Sequence, residues 1–424
     1  MAIDRSEELC FTQEAWEAVM RPLSAGDRVV ASGRLTINDI PSNHTRVFLC
    51  SELTVGAEWP QARTWPPLSE HCVVATSSPP GPTGLRGVLE RIRPLENQII
   101  VVLLLACGPN QDGWNAGVFH RGKIRPLDGV RVTGPGMPAF RRLEPDINVV
   151  DPEAAQRLSR LEGVIGPDAI RIVSSLRVAQ AGAGRNGSEI ATRLGPLVRS
   201  YRFFDPDRLE IENLDATIGA ARADVGRPKV DVLFDRLHAL RGESILVSPL
   251  EMSAAEPGVI DMIRDADVLI TATDSDTPRA AFAMLANRFQ KIHLDVGTSV
   301  TEEDGDLRYA GDVRFFYPGQ GCVFCCGGLR NEDDALYELF SPSGSLSRRP
   351  PQPWHSLRRG SSSALNSIVC GTAVQILLDA ITGHQRTSTW HRLRWHQGAG
   401  LETIHGPVGP SPDCRLCGRN SIPT

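Results

Sequence analysis

Three glycines, Gly182, Gly184 and Gly187, stand at the spacing G-x-G-x-x-G in the stretch "AGAGRNGSEIATRL". That spacing makes a turn able to hold a phosphate. The first glycine turns the chain, the second lets backbone approach the anion, and the third lets a helix lie close to its strand. Ile190, Leu194, Leu197 and Val198 follow at helical spacing, so the turn should feed a helix whose free N–H groups face the anion. "RSYRFFDPD" then reads as a strand ending in Asp205 and Asp207, about twenty residues on, where a ribose-binding acid is expected. A dinucleotide and ATP both suit these residues. A tight strand–helix turn with no ligand has the same spacing.

The cysteines supply a second chemistry. Cys322 and Cys325 in "GQGCVFCCGG" and Cys414 and Cys417 in "SPDCRLCGR" form two Cys-x-x-Cys pairs. Each pair can bite one metal ion, and two pairs complete a tetrahedral thiolate site with no open position, as in structural zinc. Chance pairing and a redox role are the alternatives. Neither pair begins a helix after a strand, which counts against the redox reading.

These residues need a scaffold, and the 424-residue chain is long enough for two domains. Residues 1–140 carry strand-like runs, "DRVVASGRLTI", "TRVFLCSELTV", "HCVVATS", "NQIIVVLLLACG" and "GVRVTG", preceded by one helix-like stretch, "TQEAWEAVMRPL". They predict a small α+β domain, and residues 134–152 read as a linker. Over residues 150–424 the patterns alternate. "DPEAAQRLSRLEGVIG" reads as a helix capped by Asp151, with Pro152 in its first turn. Strands are expected at 176–181, 201–205, 245–248, 266–273 and 291–295, the first weakened by Arg177 and Gln180. This predicts an α/β fold with a Rossmann-like, doubly wound, mostly parallel sheet. Residues 331–362 read as a long loop, and a helix at 363–382 should bury Leu365, Ile368, Val369, Ile376 and Leu377.

Bulk properties narrow the function. A net charge of −5 argues against nucleic acid as a partner. The longest apolar run, residues 99–107, is too short to span a bilayer, so no membrane partner is expected. "MAIDRSEELC" lacks the pattern of a signal peptide, and a cytoplasmic location, with reduced cysteines, is the expectation.

A glycine loop, an acid-ended strand, an Asn-Leu, a Gly-x-x-Lys, an aspartate-containing turn and two Cys-x-x-Cys pairs occur here in one order. Over roughly residues 150–424 that order resembles the ThiF/MoeB/ubiquitin-activating superfamily. The resemblance implies an adenylyltransferase: with ATP and Mg²⁺ it would activate the carboxylate of a ubiquitin-like or sulfur-carrier-like protein or of a precursor peptide. It also implies a homodimer and structural Zn²⁺ on Cys322, Cys325, Cys414 and Cys417. Carried over by position, Gly182, Gly184 and Gly187 match the phosphate loop, and Asp205 and Asp207 the strand-end acids, with Asp207 on the ribose. Asn213 matches the asparagine of "S-N-L", Lys229 the phosphate-neutralising lysine, Asp274 the magnesium-side aspartate, and Arg279 a following arginine. Lys229 and Asp274 are the candidate catalytic residues. Each has a plainer reading: a solvated lysine at a helix start, a helix cap at Asp274 or Asp276, turn residues at Asp205 and Asn213. Arg160 stands where relatives reach ATP, sometimes across a dimer, and otherwise reads as a surface residue.

Two departures matter. Ala216 stands where the family places an arginine on the phosphates, with Arg222 or Arg185 as spatial substitutes. Residues 331–369 hold no cysteine, whereas thioester-forming relatives carry a nucleophile there. Cys370 reads as a core thiol and Cys326 as a neighbour of the metal pair, which favours an enzyme that stops at the acyl-adenylate or passes it to an external nucleophile. Residues 1–140 faintly resemble the JAB/MPN isopeptidase fold, with Thr76 and Ser78 in place of its histidines and His120 alone; such a domain would be inactive and could hold the substrate. A catalytically degenerate nucleotide-binding scaffold and an NAD(P)-dependent oxidoreductase are the rival functions.

Overall fold

The structure, a computed structural model, describes residues 6–24, 30–40, 45–50, 53–56, 72–76, 88–89, 98–106, 113–121, 123–127, 129–133, 141–142 and 152–417, the last range apart from 243–244, 257, 264–265, 304–305 and 341–361. The chain divides into two units, Met1–Val149 and Val150–Thr424. Asp151 and Ser78 lie outside the described residues.

In the first unit a strand, β1 (Ser6–Thr12), precedes the helix α1 (Gln13–Ser24), so the helix does not come first as the sequence suggested. The strands that follow are β2 (Val30–Arg34), β3 (Thr36–Ile40), β4 (Thr45–Cys50), β5 (Thr54–Gly56), β6 (Cys72–Thr76), β7 (Ile100–Ala106), β8 (Gly113–His120), β9 (Lys123–Pro126), β10 (Gly129–Thr133) and β11 (Arg141–Arg142). β11 falls inside the expected linker and pairs with β10. The strands form two sheets, ordered β11-β10-β1-β4-β3 and β5-β2-β6-β7-β8-β9. Leu9, Phe11 and Phe48 from one sheet and Val73, Val101 and Leu103 from the other share one apolar cluster. Thr76 is fully buried and His120 is half-buried.

The second unit begins with α2 (Pro152–Ser175), which continues past the expected helix and breaks direction at Gly166, whose φ of 83° only glycine adopts readily. Then come β12 (Arg177–Ala181), α3 (Arg185–Leu194), β13 (Ser200–Phe204), α4 (Lys229–Arg241), β14 (Leu246–Leu250), α5 (Val259–Ile263), β15 (Val268–Thr271), α6 (Asp276–Arg288), β16 (Ile292–Glu303), β17 (Asp306–Phe316), α7 (Glu332–Phe340), α8 (Ser363–Ile381), β18 (Thr389–His396) and β19 (Gly400–Pro407). Their sheet is ordered β14-β13-β12-β15-β16-β17-β18-β19. The first five strands run parallel and the last three are added antiparallel. β12 and β15 are buried at every position, as parallel strands covered on both faces must be. The strand order reverses between β12 and β15, the point where doubly wound sheets bind ligands.

Two expectations fail in detail. Residues 332–340 of the expected loop form α7, whose first turn carries Glu332, Asp333 and Asp334, favourable at the positive end of the helix dipole. On α8, Leu365, Val369, Ile376 and Leu377 are buried, but Ile368 is 38% exposed; the helix is apolar on more faces than the fold covers. α8 is long and apolar enough to cross a membrane, and here Val369 packs on β17.

That contact sets a test. A Cβ at Gly311 of β17 would lie 2.1 Å from Val369 Cγ2. Gly311→Ala should therefore destabilise the chain by about 1–3 kcal/mol, the usual cost of overpacking. Adding Val369→Ala should recover much of the loss; denaturant unfolding of both variants measures it.

Candidate functional site

The glycine loop leaves β12 at the strand-order reversal. Gly182 has a φ of +98°, and a Cβ there would lie 2.4 Å from the Ala272 carbonyl oxygen. A Cβ at Gly187 would lie 2.1 Å from the Gly182 oxygen. These two glycines are fixed by packing. Gly184 differs: a Cβ there meets nothing within 4 Å, which leaves a cradle of the kind a phosphate fills. The loop is braced from beneath by Gln180, fully buried, whose Nε2 donates to the oxygens of Gly182 (2.8 Å) and Gly187 (3.0 Å). Tyr201 Oη donates to Gln180 Oε1 at 2.6 Å. The polar residue that weakened the strand in sequence is thus the loop's support.

The two strand-end acids take different places. Asp205, only 7% exposed, accepts from the Ala183 N–H at 2.6 Å and the Asp207 N–H at 2.8 Å. Burial pushes its carboxyl above the usual range, against the pull of Lys229 and of these donors. Asp207 is exposed, and its Oδ2 lies 2.9 Å from Lys229 Nζ. Lys229, at the start of α4, has a side chain only 13% exposed. Burial alone would lower its pKa, but Asp205, Asp207 and Asp274 together hold it above its ordinary value. The ammonium is therefore charged and set among three carboxylates beside the glycine loop.

Asp274 is exposed in the turn between β15 and α6. The N-cap of α6 is Ser275, so capping does not account for Asp274. Asp276 accepts from the N–H groups of Arg330 (2.8 Å) and Asn331 (2.9 Å), and the Arg330 guanidinium donates to the Asp274 carbonyl. Arg279 holds the same turn from behind: its Nε and Nη2 donate to the Thr273 carbonyl at 3.1 and 2.7 Å, while Nη1 reaches both oxygens of Asp295 at 2.8 Å. Arg314 Nη1 donates to Asp295 at 2.9 Å, and Thr271 Oγ1 donates to Asp295 at 2.6 Å. Asp295 is fully buried; burial would raise its pKa, but Arg279 and Arg314 bring it below the usual range.

Other candidates stand further from this cluster. Asn213 is half-buried and its Oδ1 accepts from the Glu210 N–H at 3.1 Å, closing a local turn. Ala216 is 5% exposed. Beside it, Arg185 donates to the Glu212 carbonyl at 2.7 Å and to Asp215 Oδ2 at 2.9 Å. Arg160 and Arg222 are exposed. Arg330 carries no sequence signal, because its link to Asp274 and Asp276 exists only through the fold.

The four paired cysteines do meet. Their Sγ atoms all lie within 4.8 Å of one another, with Cys322–Cys325 at 3.8, Cys322–Cys414 at 3.6, Cys322–Cys417 at 3.6 and Cys325–Cys417 at 3.2 Å. Tetrahedral zinc with Zn–S bonds of about 2.3 Å requires S···S separations of about 3.8 Å, so the thiol set fits that ion. Backbone N–H groups of Leu416 and Cys417 donate to Cys414 Sγ at 3.4 and 3.5 Å, and that of Ser411 to Cys325 Sγ at 3.4 Å, all favouring thiolate. Cys326 stands outside the set; its Sγ points to the Cys322 and Val323 carbonyls, and burial pushes its pKa up to about 12. Cys370, fully buried, points to the Asn186 carbonyl at 3.5 Å, and burial raises its pKa strongly.

The ThiF family model matches residues 156–415. Among solved structures, E. coli MccB with ATP is 17% identical, the match covering 62% of this chain and 74% of that one at a TM-score of 0.46. The Microcin C7 biosynthetic enzyme MccB in complex with N-formylated MccA is 17% identical, covering 62% and 75% at 0.47. PaaA is 16% identical, covering 64% and 78% at 0.47. No curated protein matches the chain.

The cysteine geometry sets two tests. Metal-replete protein should contain one zinc per chain that resists mild chelation; elemental analysis finding none would overturn the assignment, and Cys414→Ser should lower both zinc content and melting temperature. Cys326 and Cys370 should be inert. Burial pushes the Cys326 thiol up and Cys370 is fully buried, so alkylation of both, mapped by mass spectrometry, should be slow until the chain unfolds.

Proposed function

The chain belongs to the ThiF family, and on that premise we propose that it is an ATP-dependent enzyme that adenylates the carboxylate of a peptide or small protein. The observation that carries this reading is Lys229, charged and set among Asp205, Asp207 and Asp274 beside an open glycine cradle. In the reaction a carboxylate oxygen attacks the α-phosphorus of ATP, the bond to the bridging oxygen breaks, and pyrophosphate leaves with that electron pair. The nucleophile is already ionised at neutral pH, so no general base is needed. Both reactants are anions, and the protein's task is to orient them and neutralise charge.

In this reading Gly182, Gly184 and Gly187 shape the phosphate cradle. Asp205 anchors the loop through Ala183, Asp207 at the rim receives the ribose, and Asn213 keeps the adjoining turn. Lys229 moves from Asp207 toward the phosphates. Asp274, an exposed hard oxygen donor, suits Mg²⁺, which takes few protein ligands and keeps phosphate oxygens and water; the ion would supply further charge neutralisation. Zinc on the four cysteines is structural. Of the two thiols nearest in sequence to where relatives place a nucleophile, Cys370 is fully buried and Cys326 is half-buried against backbone carbonyls, which favours an enzyme that releases the acyl-adenylate or hands it to an external nucleophile. The N-terminal unit, Met1–Val149, is assigned to holding the substrate, and the unit Val150–Thr424 to the chemistry. A homodimer in the cytoplasm, where thiols stay reduced, completes the reading.

Calorimetric titration of the full chain tests it. ATP with Mg²⁺ should bind more tightly than NAD, and Asp274→Asn should weaken the Mg²⁺-dependent part of ATP binding by about tenfold or more while adenosine binding stays within about twofold. Binding of NAD with none of ATP would overturn the reading.

A further inference from the structure

We infer that Arg185 is the guanidinium that grips the polyphosphate of the nucleotide, an inference that rests on the site being an ATP site. The charge balance calls for such a group. The described site sets three carboxylates, Asp205, Asp207 and Asp274, around the single ammonium of Lys229. A nucleoside triphosphate adds several more negative charges, and sites that bind it succeed by neutralising them.

The geometry points to Arg185. It follows Gly184 directly and opens α3. Of the three loop glycines, Gly182 and Gly187 are blocked by backbone, and only Gly184, the residue before Arg185, faces open space. The side chain is already oriented. Nη2 donates to the Glu212 carbonyl at 2.7 Å and Nη1 to Asp215 Oδ2 at 2.9 Å, and 27% of it remains exposed. The Ile218 N–H donates to Ser188 Oγ at 3.1 Å, tying the 212–218 segment to the first turn of α3. Ala216, in that segment, brings no charge of its own. Asp215 is 59% exposed, and an ion pair so open to water contributes little. A phosphate chain, carrying more charge and offering a bidentate edge, outcompetes it for the planar fork. The carbonyl of Glu212 stays as the fixed anchor while Asp215 is displaced.

This assigns opposite effects to the two members of one ion pair. In titration calorimetry on the full chain, Arg185→Ala should weaken ATP by about tenfold or more and leave AMP within about twofold, because the contact lies beyond the α-phosphate. Arg185→Lys should fall between, since it keeps charge and loses the fork. Asp215→Ala removes the competing anion and should leave ATP as tight or tighter. Circular dichroism and melting temperature check that each variant folds. The inference is overturned if Arg185→Ala leaves ATP unchanged, if it weakens ATP and AMP alike, or if Asp215→Ala weakens ATP as much as Arg185→Ala does, the mark of a purely structural latch. Wild-type protein that binds no ATP would be a different failure, that of the adenylation reading itself.

Discussion

Asp295 is a carboxylate without solvent, and most of what surrounds the site is arranged to tolerate it. A buried charge stripped of its partners costs about 3–5 kcal/mol, so its neighbours have little freedom. Arg279 comes from α6, Arg314 from β17 and Thr271 from β15, and satisfying one side chain pins three elements. Arg314 also lies 3.4 Å from Asp312, which accepts from Arg392 at 2.9 Å and from Trp390 Nε1 at 2.8 Å. The charge alternation therefore runs from the parallel half of the sheet into its antiparallel extension. At the other end Arg279 holds the Thr273 carbonyl, next to Asp274. The position of an exposed aspartate is set by a buried one.

The cysteine cluster acts on the same turn from the opposite side. Cys322, Val323, Phe324 and Leu329 pack with Ala280 and Ala283 of α6 and Ala335 of α7. The chain leaving that cluster delivers Arg330 and Asn331 to Asp276. Two cysteine pairs 92 residues apart thus support a carboxylate cluster without touching it.

What could be read in the sequence was whatever depends on local spacing. The glycines, the parallel strands at 177–181, 200–204 and 268–271 and the paired cysteines are set by neighbours along the chain. The added strands β17 to β19 were missed because "TWHRLRWH" and "GLETIHGP" carry little apolar alternation; one face of that hairpin is charged or aromatic and much of it is exposed. β16 was expected to end at 295 and runs on to Glu303, since its second half is polar and is held by pairing with β17. The difference between Asp205 and Asp207, the support from Gln180, and the meeting of Arg330 with Asp274 arise from contacts across the fold, which no spacing records. Asn213 shows the converse: a residue in the right place along the chain whose oxygen serves its own turn.

The separation of the two cysteine pairs has a consequence for how the molecule is made. During synthesis the first pair leaves the ribosome with α7, α8, β18 and β19 still to come, and it supplies two of the four thiols. The antiparallel hairpin of β18 and β19 lies between the two pairs along the chain. The four-thiol set is complete only once Cys414 and Cys417 are made, and a chain interrupted anywhere between Cys325 and Cys414 holds one pair of the four. Cut before Thr389, such a fragment also leaves β17 as the edge of the sheet, a row of unpaired backbone groups open to pairing with other chains.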